Sequence, residues 1–256
     1  MHATLRRVTD DVFRQDGYRL RLEWGENGVA ALASSCAVLV IVDVLSFTTA
    51  VDIALDRGGR VQPVRRGDVR TLSSARSAGA VLAGDQKWTL RPSSLLDLPA
   101  GTLLALPSPN GATLCTQAAA ASATVFAACL RNAESVAREV EKVADGQPIG
   151  IVPAGERWGV TAGPLRPGIE DLLGAGAVAA ALLATNSSGA SPETRLAASC
   201  FSHEIENVVE LLRGCASGRE LTADGHTADV ELAAAVGSSS CAPVLSDGVL
   251  TNRLSA

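Results

Sequence analysis

Seven apolar stretches punctuate the chain, and six of them read as buried runs, the first without any polar alternation: Cys36–Val42, Val61–Val64, Ala80–Ala83, Leu103–Leu106, Thr124–Ala128 and Ile149–Val152. Strands covered on both faces read this way, as in a parallel sheet with helices on each side. The seventh, Tyr18–Trp24 (YRLRLEW), alternates apolar and polar residues and predicts a half-exposed strand near a sheet edge. Between the runs, helical spacing predicts helices over Thr48–Asp56, Val69–Ala78, Ala112–Ala121 and Ala133–Ala144. Strand and helix alternate, so the predicted fold class is α/β, a three-layer α/β/α arrangement on a mostly parallel sheet. After Pro153 a long polar loop, Gly155–Gly168, precedes helical stretches at Ile169–Ala184, Glu193–Arg213 and Ala228–Val236, which makes the last third more helical. The segment Thr185–Pro192 reads as a surface turn. Residues 1–256 are expected to form one unit, or two lobes meeting near residues 150–168.

Composition narrows the class. Of 256 residues, 47% are hydrophobic but only 3% aromatic, so Ala, Val and Leu must fill closely packed helix-on-sheet layers. The net charge is -5 and no basic cluster is longer than Arg65-Arg66, which argues against nucleic-acid and membrane-surface partners. The first residues, MHATLRRVTDDVF, lack the apolar core of a signal peptide, and no later run is long enough to span a bilayer, so the expected location is the cytoplasm. Six widely spaced cysteines sit mostly among Ala, Leu and Val and read as reduced core thiols. The apolar helices after Ile169 offer a face for a homodimer.

Candidate chemistry collects where the apolar runs end. The stretch Val40–Val51 (VIVDVLSFTTAV) passes from a buried strand through one carboxylate, Asp43, and the hydroxyls Ser46, Thr48 and Thr49 into a helical pattern. Parallel sheets gather ligands beyond the carboxyl ends of their strands, and a helix N-terminus there suits a phosphate. The plainer reading is that Asp43 only orders the turn. The other strand ends carry Asp85, the turn Ser108-Pro109-Asn110-Gly111, Arg131-Asn132 and Glu156-Arg157, and a functional edge gathers such acids, amides and arginines.

Four blocks in order resemble the 2-phosphosulfolactate phosphatase family: VIVDVLSFTTAV; PSPNGATL at Pro107–Leu114; AACLRNA at Ala127–Ala133; and VPAGERWG with LRPGIEDLLGAGAV within Val152–Val178. A weaker echo follows, where DVELAAA precedes PVLSDGVL. The resemblance implies a magnesium-dependent hydrolase that removes phosphate from 2-phospho-3-sulfolactate, a step on one route to coenzyme M. Two departures stand out: Ser46-Phe47 replaces a usual Arg-Ala, and Gly84-Asp85-Gln86 stands where a Gly-Glu-Arg element is common.

In such a hydrolase Asp43 and Glu156 are the expected catalytic acids. Magnesium favours a few carboxylates plus waters, which nominates Asp43, Asp85, Glu170 and Asp171 as metal ligands. Ser46, Ser108, Asn110, Gly111, Arg131 and Asn132 are expected to bind the substrate, with Arg131 as the phosphate clamp and Arg157 or Arg166 as its replacement. Each has a bland alternative. Pro109-Asn110-Gly111 is also an ordinary turn, Arg131 and Glu156 suit a surface pair or helix ends, and Glu170-Asp171 suits a helix N-terminus. Gly174–Ala179 matches Gly-x-Gly-x-x-Ala but follows no strand, which disfavours a dinucleotide. With three histidines, none in these loops, a nucleophile–histidine–acid triad is not expected, and His203 reads as a helix residue. Leu45 occupies the position where haloacid-dehalogenase phosphatases carry their second aspartate. Cys129 reads as a small core residue or, less simply, a nucleophile. The alternative function is a non-catalytic α/β protein that binds or senses a phosphorylated small acid.

Overall fold

The computed structural model describes residues 12–253 apart from 86, 122 and 160–162; the reading of the first eleven residues and of Gln86 lies outside the described residues. The strands, in chain order, are β1 Leu20–Leu22, β2 Val38–Val42, β3 Arg60–Arg65, β4 Val81–Leu82, β5 Leu103–Ser108, β6 Thr124–Ala128, β7 Ile149–Pro153, β8 Glu156–Arg157, β9 Leu165–Arg166, β10 Pro243–Ser246 and β11 Val249–Asn252. The α-helices are α1 Gly25–Leu32, α2 Phe47–Asp56, α3 Val69–Ser77, α4 Gly111–Ala119, α5 Ala133–Ala144, α6 Ile169–Thr185, α7 Pro192–Glu204, α8 Val208–Gly214, α9 Ala216–Ala223 and α10 Thr227–Ala233. No helix among the described residues is long and apolar enough to cross a membrane.

The layering follows from β2. All five of its residues are buried, and because side chains alternate across a strand they feed two cores. Val38, Val40 and Val42 pack toward Val136 and Val140 of α5 and Val178 of α6, while Leu39 and Ile41 pack toward Val29 and Leu32 of α1, Val51 of α2 and Leu114 of α4. Each such side chain contributes about 1.5–3 kcal/mol on burial.

The main sheet runs β1-β7-β2-β6-β10-β11-β3-β5-β4. β1, β7, β2 and β6 are mutually parallel, as are β3, β5 and β4. The hairpin β10–β11 joins them by antiparallel pairs on both flanks, Val244 with Phe126 and Leu250 with Val61. The two parallel groups therefore point in opposite senses. Helix α4, which leaves β5, packs in one apolar cluster with residues of both groups, among them Ile41 and Leu104.

Two expectations need correction. The strand β1 lies at the sheet edge as predicted, yet it is fully buried rather than half-exposed. Arg21 tolerates this because its guanidinium group donates to the carbonyls of Tyr18 and Arg14, to Asp16 and to Ser35 Oγ. The single helix expected over Glu193–Arg213 is broken by a 3-10 turn at Ile205–Asn207. The hairpin was not anticipated, although Asp247-Gly248 between two apolar pairs is a strong hairpin signal; both residues have positive φ, 50° and 78°.

Candidate active site

Asp43 follows directly on β2, where the chain turns into α2. Thr48 ties that turn: its Oγ1 donates to the Asp43 carbonyl at 2.7 Å and accepts the Asp43 N–H at 3.1 Å. Thr49 Oγ1 donates to the Val44 carbonyl at 2.8 Å. Ser46 occupies the N-cap but makes no side-chain cap bond, and Phe47 beside it is buried. Asp43 is 5% exposed. Burial pushes its pKa up to about 7; the N–H groups of Gly111 and Phe47 pull it down, and the charges of Glu156 and Glu170 add to the rise.

The loop after β5 reaches Asp43 although β5 runs opposite to β2. Gly111 donates its N–H to Asp43 Oδ2 at 2.6 Å. A side chain at 111 is excluded: a Cβ there would sit 2.7 Å from the Asp43 carboxylate oxygen and collide with the Phe47 ring. Gly111→Ala is accordingly expected to lower stability by about 1–3 kcal/mol, the usual cost of overpacking, and to reduce turnover by displacing Asp43. Denaturant melts alongside initial rates check it. Ser108 is buried, with its Oγ accepting the Asn110 N–H at 3.3 Å.

Asp171 closes the other side of the turn. Its Oδ1 accepts the Val44 N–H at 2.8 Å and its Oδ2 the Gly155 N–H at 2.7 Å, so one carboxylate pins the ends of β2 and β7 together. Burial, then Asp43 and Glu170, hold its pKa well above the usual carboxylate range. Glu170 is buried and accepts the Ser217 hydroxyl at 2.6 Å, which connects the site to α9.

Glu156 begins β8. Its Oε2 accepts Asn110 Nδ2 at 3.3 Å and its Oε1 accepts the Arg157 N–H at 2.8 Å. A cavity of about 250 Å³ opens here, lined by Glu26, Arg65, Arg66, Pro109, Asn110, Thr113, Glu156 and Arg157. Arg65 and Arg66 at this mouth were read in the sequence only as a small basic cluster. Arg65 pairs in register with Ser108 across β3 and β5, a neighbourhood that no local motif announces.

The structure thus brings together Asp43, Ser108, Asn110, Gly111, Glu156, Glu170 and Asp171. It does not bring in Asp85, which lies beyond β4 at the opposite edge strand and pairs with Arg76 at 2.6 Å on the surface. Arg131 Nε donates to the fully buried Asp52 at 2.7 Å and its Nη1 to the Leu232 carbonyl at 3.2 Å, so its guanidinium is held by the protein itself. Asn132 is buried, with its Oδ1 accepting the Cys129 N–H at 2.9 Å in the same turn. Arg157 pairs with Glu26, and Arg166 reaches Ser217 Oγ at 3.5 Å. All six cysteines are free thiols; burial drives Cys129 far up from its usual pKa and removes the thiolate a nucleophile needs.

The Gly-x-Gly-x-x-Ala stretch is a packing device within α6. A Cβ at Gly174 would lie 2.6 Å from Val44 and 2.8 Å from Val42, and one at Gly176 would strike the backbone of α7. Gly174 lets α6 approach the strand that presents Asp43, and Gly176 lets it approach α7.

Among curated proteins none matches the chain. The buried acid after β2, the Asn110-Gly111 turn set against it and the Glu170-Asp171 pair all fall within residues 28–248, the stretch matched by the model of 2-phosphosulpholactate phosphatase, and the chain belongs to that family.

Proposed function

We propose that the protein hydrolyses the phosphate monoester of a small phosphorylated acid, 2-phosphosulfolactate or a relative, with magnesium. The observation that carries this reading is the Asp43 carboxyl, buried at a strand end and gripped by the Gly111 N–H, its pKa raised by burial, within a family of phosphatases. Asp43 faces the transferring phosphoryl group. Glu156, oriented by Asn110 and open to the cavity, holds and moves the proton of the attacking water. The N–H groups at the start of α4 offer donors to phosphate oxygens. Asp171 positions rather than reacts, since backbone N–H groups occupy both of its oxygens.

Among the described residues no three His, Cys, Asp or Glu side chains converge closely enough to enclose an ion. Magnesium does not require such a cage, because it keeps several waters and takes one or two carboxylates plus substrate oxygens. Asp43 and Glu170 fit as its donors: their repulsion, which helps raise Asp43, is what a divalent cation relieves. Bound there, the ion would neutralise charge on the phosphoryl oxygens.

The test is phosphate release from a panel of phosphorylated small acids. Turnover is expected with magnesium, to vanish in chelator and to return with magnesium or manganese. Full activity in chelator removes the metal. Ligand-dependent thermal stabilisation with no phosphate released from any ester supports a binding protein instead.

A further inference from the structure

We infer that Arg65 and Arg66 form the specificity site for a second anionic group of the substrate, a carboxylate or sulfonate on the same small molecule as the phosphate. This rests on the phosphatase reading for the identity of the first group, not for the anion site itself.

The placement is the first argument. Arg65 ends β3 opposite Ser108, and Ser108 is three residues from Gly111, whose N–H holds Asp43. Both arginines line the cavity that Asn110 and Glu156 also line, so an anion between them lies next to the reacting centre.

Availability is the second. Of the cavity's three arginines, Arg157 is taken by Glu26 and by the Gly163 carbonyl. Among the described residues Arg65 and Arg66 make no side-chain hydrogen bond; Arg65 feels only the charge of Asp68 nearby, and both arginines are exposed at the mouth. Guanidinium groups with free donors beside a buried acid cluster suit planar two-point recognition of a carboxylate or sulfonate.

Charge balance is the third. Glu156 lines the cavity, and its charge and that of Glu170 already bear on Asp43, so a ligand carrying a second anion would meet repulsion there without a cationic counterpart. Arg65 and Arg66, in the same lining, supply it. The cavity is small, about 250 Å³, which suits two anionic groups on a short carbon skeleton.

The experiment compares wild type, Arg65→Gln/Arg66→Gln and a charge-matched control, Arg57→Gln/Arg70→Gln, built on exposed arginines elsewhere. Calorimetry with 3-sulfolactate, which carries the anions without the ester, reads the site independently of turnover. Wild type and control are expected to bind it, and the Arg65/Arg66 variant to bind at least tenfold more weakly, as loss of charge-assisted contacts at a solvent-open mouth implies. Equal affinity in the variant, or no binding by wild type, overturns the inference. In the kinetic arm, kcat/KM for the phosphate ester of sulfolactate is divided by that for an ester of the same skeleton without the acids. The inference expects this ratio to collapse through KM in the Arg65/Arg66 variant, and an unchanged ratio overturns it. If wild type hydrolyses no ester while sulfolactate binding still depends on Arg65 and Arg66, the phosphatase reading fails and the anion site stands.

Discussion

Asp43→Asn is expected to fold and to lose roughly 10²–10⁴-fold in phosphate release, the range over which a positioned acid or base contributes. The amide keeps the shape and can still accept the Gly111 N–H, but it removes both the negative charge and the titrating proton. Wild-type turnover in this variant would take Asp43 out of the chemistry. A pH signature accompanies it. The folded-state pKa is raised to about 7, so between the ordinary aspartate range and neutrality the folded protein binds more protons than the unfolded chain. Stability in chelator should therefore fall as pH rises from about 4 to about 7, and level off above. Asp171, raised in the same sense, contributes to the slope. Asp43→Asn should flatten it, and urea melts across that window measure the difference.

Arg131→Ala is expected to destabilise the fold by about 3–5 kcal/mol, as removing one partner of a buried ion pair does. Asp52 is fully buried and keeps only the Ser239 hydroxyl, at 2.6 Å, once the guanidinium is gone. Burial already lifts its pKa, and Ser239 and Arg131 are the groups that oppose the rise. The variant should recover part of its stability when Asp52→Asn is added, because the orphaned charge is then removed. If denaturation curves put single and double variants within about 0.5 kcal/mol of wild type, the scatter of surface substitutions, the pair is not structural.

Much of this was legible in the residue pattern. The unalternating runs identified β2, β6 and β7 almost to the residue, because burial on both faces leaves a signature that needs no tertiary knowledge. The placement of Asp43, Gly111 and Glu156 was legible for a related reason, since each lies within three residues of a strand's end. What stayed hidden depends on direction and on partners far away in sequence. Asp85 follows a strand too, but that strand is the far edge of the sheet. Arg131 follows β6 beside Asp43, yet its partner, Asp52, is 79 residues away. Arg65 and Arg66 carry no local mark of function; the register of β3 with β5 places them beside Ser108.

The hairpin β10–β11 has a bearing on how the chain is made. It occupies the middle of the sheet but follows the other described strands in sequence, so until residues 243–252 leave the ribosome β6 and β3 each present an open edge. Open strand edges pair promiscuously, and long-range insertion is slow. The nascent protein thus passes through a stage in which both parallel groups can be complete while the gap between them invites other chains, and chaperone demand should peak there, until residues 243–252 have emerged.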